Sequence, residues 1–577
     1  MFKNKKYKNL FMVLLLIFSA EIFFSAYQEA PTWDERCYIG TGKYIMNTGN
    51  FKNIAIMYQP PLSYYLNSVF LYFIKFDKSL FDSENCWDIG NKIIFHSGYP
   101  HWLILFLTRL PFMIVALMAS FYVFKFASML YGEKSGVFAV FLYVFSPNIV
   151  GYSTLATTDF LITVIIFITI YHYWMYLNNP TKLNMIFTGI AVGFAEGTKI
   201  TGLLLYPIII LIGILNLYFK KQFTYKNLII QIKSWVWIFI IGFLIVMILY
   251  GFQFKTFKSA LPEYYVNRAH QAFDEIGILK KINAKKIFDN IPVPVPSYFG
   301  GLGSVSYLTT KGLPIFVLGR ILEKNIFYFP ILVFLLKTTL SLLILIIISI
   351  ILFRKIRRKS LMDELILVIP IVIIFGIFVF SNKVSGIRHV LPIYPFIFLF
   401  VSKIMNYKAK NKKIFILFMT IFVLHYAVNA IIIAPYYLSY TNEFAGGFGN
   451  AYKFFVASAI DQGQDLARLK AYMDKKGVKS AKLSYFGSID PKDYNISYEY
   501  LPSPYFQPWV TKNGVFATES EARENCSSIT GIIAISVTNL QNLFLVNKSC
   551  FRWLHNYEPV KKIGYTIFVY NISSAFR

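Results

Sequence analysis

The sequence predicts a polytopic α-helical membrane protein that carries an α/β domain at its C-terminal end. Three observations point there. Hydrophobic residues make up 56% of the 577 and charged residues only 15%, with a mean hydropathy of +0.53. A soluble domain carries about 25% charged residues, and disorder requires low hydrophobicity, so both classes are excluded. Apolar runs long enough to cross a bilayer, ~17–25 residues, recur along the first 434 positions. The net charge of +28, from 57 Lys+Arg against 29 Asp+Glu, is distributed as short basic clusters between those runs. That is how membrane proteins carry it, so no nucleic-acid partner is expected.

Spans are expected near 9–27, 110–130, 135–156, 160–177, 184–198, 201–219, 234–253, 326–352, 363–380, 390–405 and 414–434, eleven in all. The run 184–219 is read as two short helices, because Glu196 and Lys199 would otherwise sit in mid-span. A charge at a span's centre costs ~2.5–3.5 kcal/mol on insertion scales, and a turn at Glu196-Gly197-Thr198-Lys199 avoids that cost. With this count the basic clusters 3–8, 125–134, 220–233, 354–359 and 403–413 all fall on one face. The positive-inside rule makes that face cytoplasmic, so the chain is expected N-in and C-out. The first run is read as an uncleaved anchor, since its apolar part is long and no small-x-small site precedes Gln28. A cleaved leader is the alternative. The abundance of Lys, Asn, Ile, Phe and Tyr suggests an AT-rich genome, and hence the cytoplasmic (inner) membrane of a bacterium.

The domain organisation follows. Residues 1–434 form the membrane domain, with outer loops 28–109 and 254–325 that are too long to be simple connectors. Residues 435–577 form an outer α/β domain, with strand-like alternation at 481–486, 532–537 and 565–570 and a helix-like stretch at 465–476. All four cysteines fall outside in this topology. The expected pairs are Cys37–Cys86 and Cys526–Cys550, each within one domain, with unpaired thiols as the alternative. No CxxC or His/Cys cluster suggests a metal site.

Several polar residues could carry chemistry. Pro31-Thr32-Trp33-Asp34-Glu35-Arg36 opens the first loop. Neighbouring helical residues point about 100° apart, so Asp34 and Glu35 cannot act as a face-to-face pair. One should enter a site while the other orients it. The competing reading is a helix N-terminus, where acidic groups satisfy free N–H groups. Tyr58-Gln59-Pro60-Pro61 makes an extended turn before an apolar helix. Asp159, after Thr157-Thr158, reads equally as an N-cap or as a substrate contact. Arg109, Lys383 and Arg388 lie at the outer membrane surface, where the rule that the other clusters obey expects few cations. Lipid head groups or the phosphate of a bound carrier would explain them, and Arg suits phosphate. Lys199 joins this group. The Gly-rich stretch 296–303 lacks the context of a nucleotide loop. His270, His389 and His425 are scattered. The sequons at Asn495, Asn525, Asn547 and Asn571 matter only in a host that glycosylates them.

Together these segments resemble the polyprenyl-phosphate-dependent glycosyltransferases of the GT-C fold, in the glycosyltransferase 39, or protein O-mannosyltransferase-like, group of bacterial type. The Asp34-Glu35 pair matches that group's acidic pair. Gly386-Ile387-Arg388-His389-Val390-Leu391-Pro392 resembles a segment that opens a late span. Asn325 to Pro330 with Lys337-Thr338-Thr339-Leu340 is similar to a second block. Tyr440-Thr441-Asn442-Glu443-Phe444-Ala445-Gly446-Gly447 followed by Asp461-Gln462-Gly463-Gln464-Asp465 resembles a third, in which Gln462 stands where the group usually has Trp.

The resemblance implies a sugar donor linked to a polyprenyl phosphate, a glycan, lipid or protein acceptor, inversion at the anomeric carbon, and a site at the outer membrane surface among membrane lipids. It implies catalytic roles for Asp34, as base, and Glu35, and substrate contacts for Asp159, Tyr58 and Gln59. Carrier phosphate falls to Arg109, Lys199, Arg388 and His389. No cofactor is implied, and a divalent metal, used by related branches, is the open alternative. A transporter or flippase of lipid-linked sugars is the competing function, although such sites usually lie near the bilayer midplane.

Overall fold

The computed structural model describes residues 2–51, 59–83, 85–275, 277–356, 360–382, 386–504, 526 and 528–573. Among them, seven helices are long and apolar enough to cross a membrane: Lys5–Gln28 (α1), His101–Tyr131, Thr158–Asn178, Ile200–Phe219, Tyr225–Leu249, Leu361–Phe380 and Lys412–Ile433. Two more expected spans are bent pairs, Glu133–Val144 with Pro147–Ser153 at 64° and Tyr328–Lys337 with Leu340–Ile351 at 109°. The breaks are capped. Ser146 accepts from Ile149 N and Thr339 from Leu342 N, which satisfies first-turn donors of each second helix. The spans expected at 184–198 and 390–405 are the shorter helices Lys182–Thr198 and Leu391–Asn406. Among the described residues, up to nine spans pass by length and composition if each bent pair counts as one, and the two shorter helices stand at the remaining two of the eleven expected positions. The protein is a multi-pass membrane protein.

The first long connector is folded. It holds α2 (Trp33–Thr48), α3 (Leu62–Ser68) and α4 (Cys86–Phe95), followed by α5 (His101–Tyr131). A disulfide joins Cys37 of α2 to Cys86 of α4. The helices approach so closely that a Cβ on Gly40 would lie 2.3 Å from Cys86 O. The second connector is also largely helical. The stretch 296–303 is not a loop but opens the helix Pro296–Lys311. Its glycines admit a neighbour: a Cβ on Gly303 would lie 2.7 Å from Ala269 Cα. An antiparallel strand pair, β1–β2 (Phe254–Lys255 with Val293–Pro294), brackets the earlier helices of this connector, and a hairpin, β3–β4 (Ile315–Val317 with Arg320–Leu322), follows the last.

The tail carries a five-stranded sheet built from β5 (Ala481–Ser484), β6 (Tyr498–Tyr500), β7 (Gly531–Ser536), β8 (Lys561–Ile563) and β9 (Ile567–Ile572), in the order β6-β5-β7-β9-β8. β5 runs parallel to both β6 and β7, while β7–β9 and β9–β8 are antiparallel. The helix Leu466–Lys476 precedes the sheet, and a disulfide joins Cys526 to Cys550. The tail is not a separate bead. Ile533, Ile535 and Phe568 belong to the same hydrophobic core as Val140 and Phe398 of the membrane helices. Arg36 of α2 ties α4 to the tail, donating from Nε to Trp87 O at 2.6 Å and from Nη1 to Ser488 O of the tail. The beginnings of α2 and α5 and the tail thus meet on one face.

Candidate active site

The adjacent carboxylates diverge as helix geometry requires. Thr32 caps α2, and its N and Oγ1 donate to Glu35 Oε2 at 2.8 and 3.0 Å. Glu35 turns inward. Arg109 of α5 donates from Nε to Glu35 Oε1 and from Nη2 to Oε2, both at 2.8 Å. Ala156 N donates to Oε1 at 2.9 Å. Arg109 spends its other donors on Ala26 O, Glu29 O and Ala30 O at 2.7, 2.9 and 3.2 Å. Both side chains are 0% exposed. Burial pushes the Glu35 pKa up, but the Arg109 charge and the hydrogen bonds outweigh it and hold it below the ordinary carboxylate value. Every guanidinium N–H has a protein acceptor, so the reading of Arg109 as a phosphate ligand is corrected: it has no donor to offer and does not line the cavity.

Asp34 points the other way, into a cavity of ≈ 900 Å³ that it lines with Asp159, Lys199, Arg388, His389 and Gln59. Asp34 Oδ2 accepts from Arg388 Nη1 at 2.8 Å, with the two side chains 16% and 17% exposed. The same Nη1 lies 3.8 Å from Asp159 Oδ2. Asp159 Oδ1 in turn accepts from Lys199 Nζ at 2.5 Å. Two carboxylates and two cations therefore alternate along one wall. Burial lowers the Arg388 pKa, but Asp34 and Asp159 more than reverse that and raise it. Among the described residues, Arg388 Nε is buried without a partner.

Local sequence explains the placement. The short 3₁₀ segment Gly386–His389 passes so close to Ala459 that a Cβ on Gly386 (φ 71°) would lie 2.6 Å from its Cα. Glycine alone permits that approach and the left-handed φ. Asp159 is not the N-cap of its helix, since Thr157 holds that position. Asp159 sits in the first turn and reaches Lys199, which ends the helix Lys182–Thr198 at the expected turn. Gln59 Oε1 accepts from Ile200 N at 3.4 Å. His389 packs edge-on against Phe378. Tyr58 and Lys383 lie outside the described residues.

Sequence reasoning gave no role to three groups here. Asp461 lines the cavity. Its Oδ2 accepts from Thr538 Oγ1 at 2.6 Å and its Oδ1 from Gly463 N at 3.3 Å, and burial pushes its pKa up to about 7. Gln462 O accepts from Trp33 N at 2.8 Å, so the residue at the position of the usual Trp forms the cavity wall beside Asp34's neighbour. Lys337, fully buried in the membrane domain, donates to Leu438 O at 2.7 Å and to Ala459 O and so braces the loop that carries Asp461. The signal for all three was present, because each falls in a quoted motif block. Among the described residues no group of three or more His, Cys, Asp or Glu is placed to hold a metal ion.

Comparison with solved structures bears on the fold. The fold is similar to that of ArnT from Cupriavidus metallidurans bound to undecaprenyl phosphate, at 11% identity, 97% coverage of each chain and a TM-score of 0.50. Weaker likenesses are to AglB from Archaeoglobus fulgidus in complex with an inhibitory peptide and a dolichol-phosphate (14% identity, 82% of this chain and 58% of that one, TM-score 0.45) and to the S. cerevisiae Pmt1–Pmt2 complex bound to the sugar donor (17%, 46% and 38%, 0.34). No curated protein matches the sequence. The chain has the GT-C fold of the membrane glycosyltransferases, with a sheet domain at its C-terminal end. Within that class, residues 105–256 match the family described as dolichyl-phosphate-mannose-protein mannosyltransferase.

Proposed function

We propose that the protein is an inverting glycosyltransferase that moves a sugar from a polyprenyl-phosphate carrier to an acceptor hydroxyl. The observation that carries this reading is the convergence of Asp34, Asp159, Lys199 and Arg388 on one ≈ 900 Å³ cavity, in a chain whose fold and family segment are those of such transferases. The acceptor oxygen attacks C1 of the donor sugar from the side opposite the phosphate. The C1–O bond to phosphate breaks, and its electron pair leaves with the polyprenyl phosphate. The acceptor proton passes to Asp34, a general-base role worth ~10²–10⁴ in rate. Arg388 and Lys199 take up the charge that grows on the leaving phosphate. Asp159 holds both cations in place and contacts substrate, as Gln59 does, and Glu35 locks the helix that presents Asp34.

The site faces the extracytoplasmic side of the inner membrane, on the charge asymmetry of the connectors. The carrier carries one phosphate, and two cations are at hand to neutralise it, so the reaction proceeds without a divalent metal. The family match is to transferases and does not favour the flippase alternative. The test is to incubate the purified chain with a radiolabelled panel of polyprenyl-phosphate sugars, with and without EDTA. Release of carrier phosphate with sugar transferred or hydrolysed, unchanged by EDTA, is expected. Donor binding with no turnover across the panel and with crude acceptor extracts would contradict the reading.

A further inference from the structure

The cavity has a second wall that the mechanism above leaves unused. It is aromatic, and loop and tail build it together. The Trp33 ring stacks on Phe486 with centroids 5.1 Å apart at 21°, and Phe486 stacks on Phe544 at 5.7 Å and 15°. Trp87 meets Trp33 edge-on at 6.1 Å. All four line the cavity, and so do the polar side chains of Asp461 and Gln462. The wall is rigid. Trp87 follows the disulfide-bonded Cys86 and its carbonyl is held by Arg36, while Phe486 N donates to Ser536 Oγ at 3.0 Å.

We propose that this wall is an acceptor subsite that seats a pyranose ring, so that the acceptor is a glycan. The inference rests on the transferase reading and names its substrate class. A pyranose has a face of C–H bonds and a rim of hydroxyls. It matches near-parallel rings whose flanks carry hydrogen-bonding groups, the usual makeup of a small-ligand site. An extended peptide would dock by its backbone along a sheet edge, and an acyl chain has no use for a carboxyl and an amide at the rim. The wall is also continuous with the base, because Trp33 immediately precedes Asp34 in α2. The phosphate-facing cations, by contrast, all come from the membrane domain.

The test uses the full chain in detergent and a panel of methyl glycosides as probes. Saturation-transfer NMR is expected to show transfer from the protein to the C–H face of at least one glycoside. That signal falls at least fivefold in Phe544→Leu and returns in Phe544→Tyr, which restores a ring. In transfer assays the rise in KM for the glycoside in Phe544→Leu exceeds any rise for the donor at least tenfold. Trp87→Phe, at the other end of the wall, gives a second reading should Phe544→Leu fail to fold. A ring-independent signal, no glycoside contact at all, or an equal or larger effect on donor KM overturns the proposal. Turnover onto a peptide or lipid alone would overturn the subsite and leave the transferase standing. Ring-dependent glycoside contact without turnover would do the reverse.

Discussion

Two ion pairs share one short helix and behave in opposite ways. Glu35 and Arg109 are fully enclosed, and every guanidinium N–H meets a protein acceptor. Asp34 and Arg388, the former one residue away along α2, line a cavity, and among the described residues Arg388 keeps a buried Nε without a partner. Each pair joins a carboxylate to an arginine, and the contacts are 2.8 Å in both. The difference lies in what remains unspent. A closed pair can only hold the fold, whereas an open pair can exchange its partner for a ligand.

Breaking each pair in turn tests that contrast. The largest effect is expected at the open carboxylate, where Asp34→Asn removes the proton acceptor and lowers turnover ~10²–10⁴-fold, measured as carrier phosphate released. The closed pair comes next. Arg109→Met leaves Glu35 as a buried charge without its partner, which costs ~3–5 kcal/mol and appears as a lower melting temperature or lost expression. At Arg388, Lys keeps the charge but not the fork. Losing one charge-assisted hydrogen bond, ~1.5–3 kcal/mol, raises donor KM roughly 10–100-fold.

The last effect is one of pH, at Asp461. Its folded pKa of about 7 lies above the ordinary 3.8, so the folded chain keeps a proton that the unfolded chain releases. Stability from this group is therefore present at low pH and is lost as pH rises from about 4 to about 7. Asp461→Asn should flatten that slope and raise the melting temperature at pH 8 relative to wild type. A slope that survives in the variant would assign it to another group.

Much of this was legible in the sequence, for identifiable reasons. Apolar period and length located the helices, because burial in lipid demands both. The turn at 196–199 followed from the cost of a charge in mid-span, and Lys199 does end its helix there. Arg388 stood out as a cation on the face where the rule expects few, and Asp34, Asp159 and Lys199 join it in the cavity. Arg109 was misread because it shares that signal. Only the fold reveals that its fork meets Glu35, 74 residues earlier. The bent pairs at 144–147 and 337–340 were read as continuous because composition does not register a capped break. The aromatic wall joins residues 33, 87, 486 and 544, and no local pattern links positions so distant.

The most direct measurement sets Asp34→Asn beside Glu35→Gln, reading turnover and melting temperature for both in the same detergent. The account predicts that Asp34→Asn loses at least a hundredfold in turnover while melting within a few degrees of wild type, and that Glu35→Gln melts lower, with turnover per folded molecule falling far less. Full turnover in Asp34→Asn, or a melting loss in it as large as that in Glu35→Gln, would contradict the division between an open catalytic pair and a closed structural one.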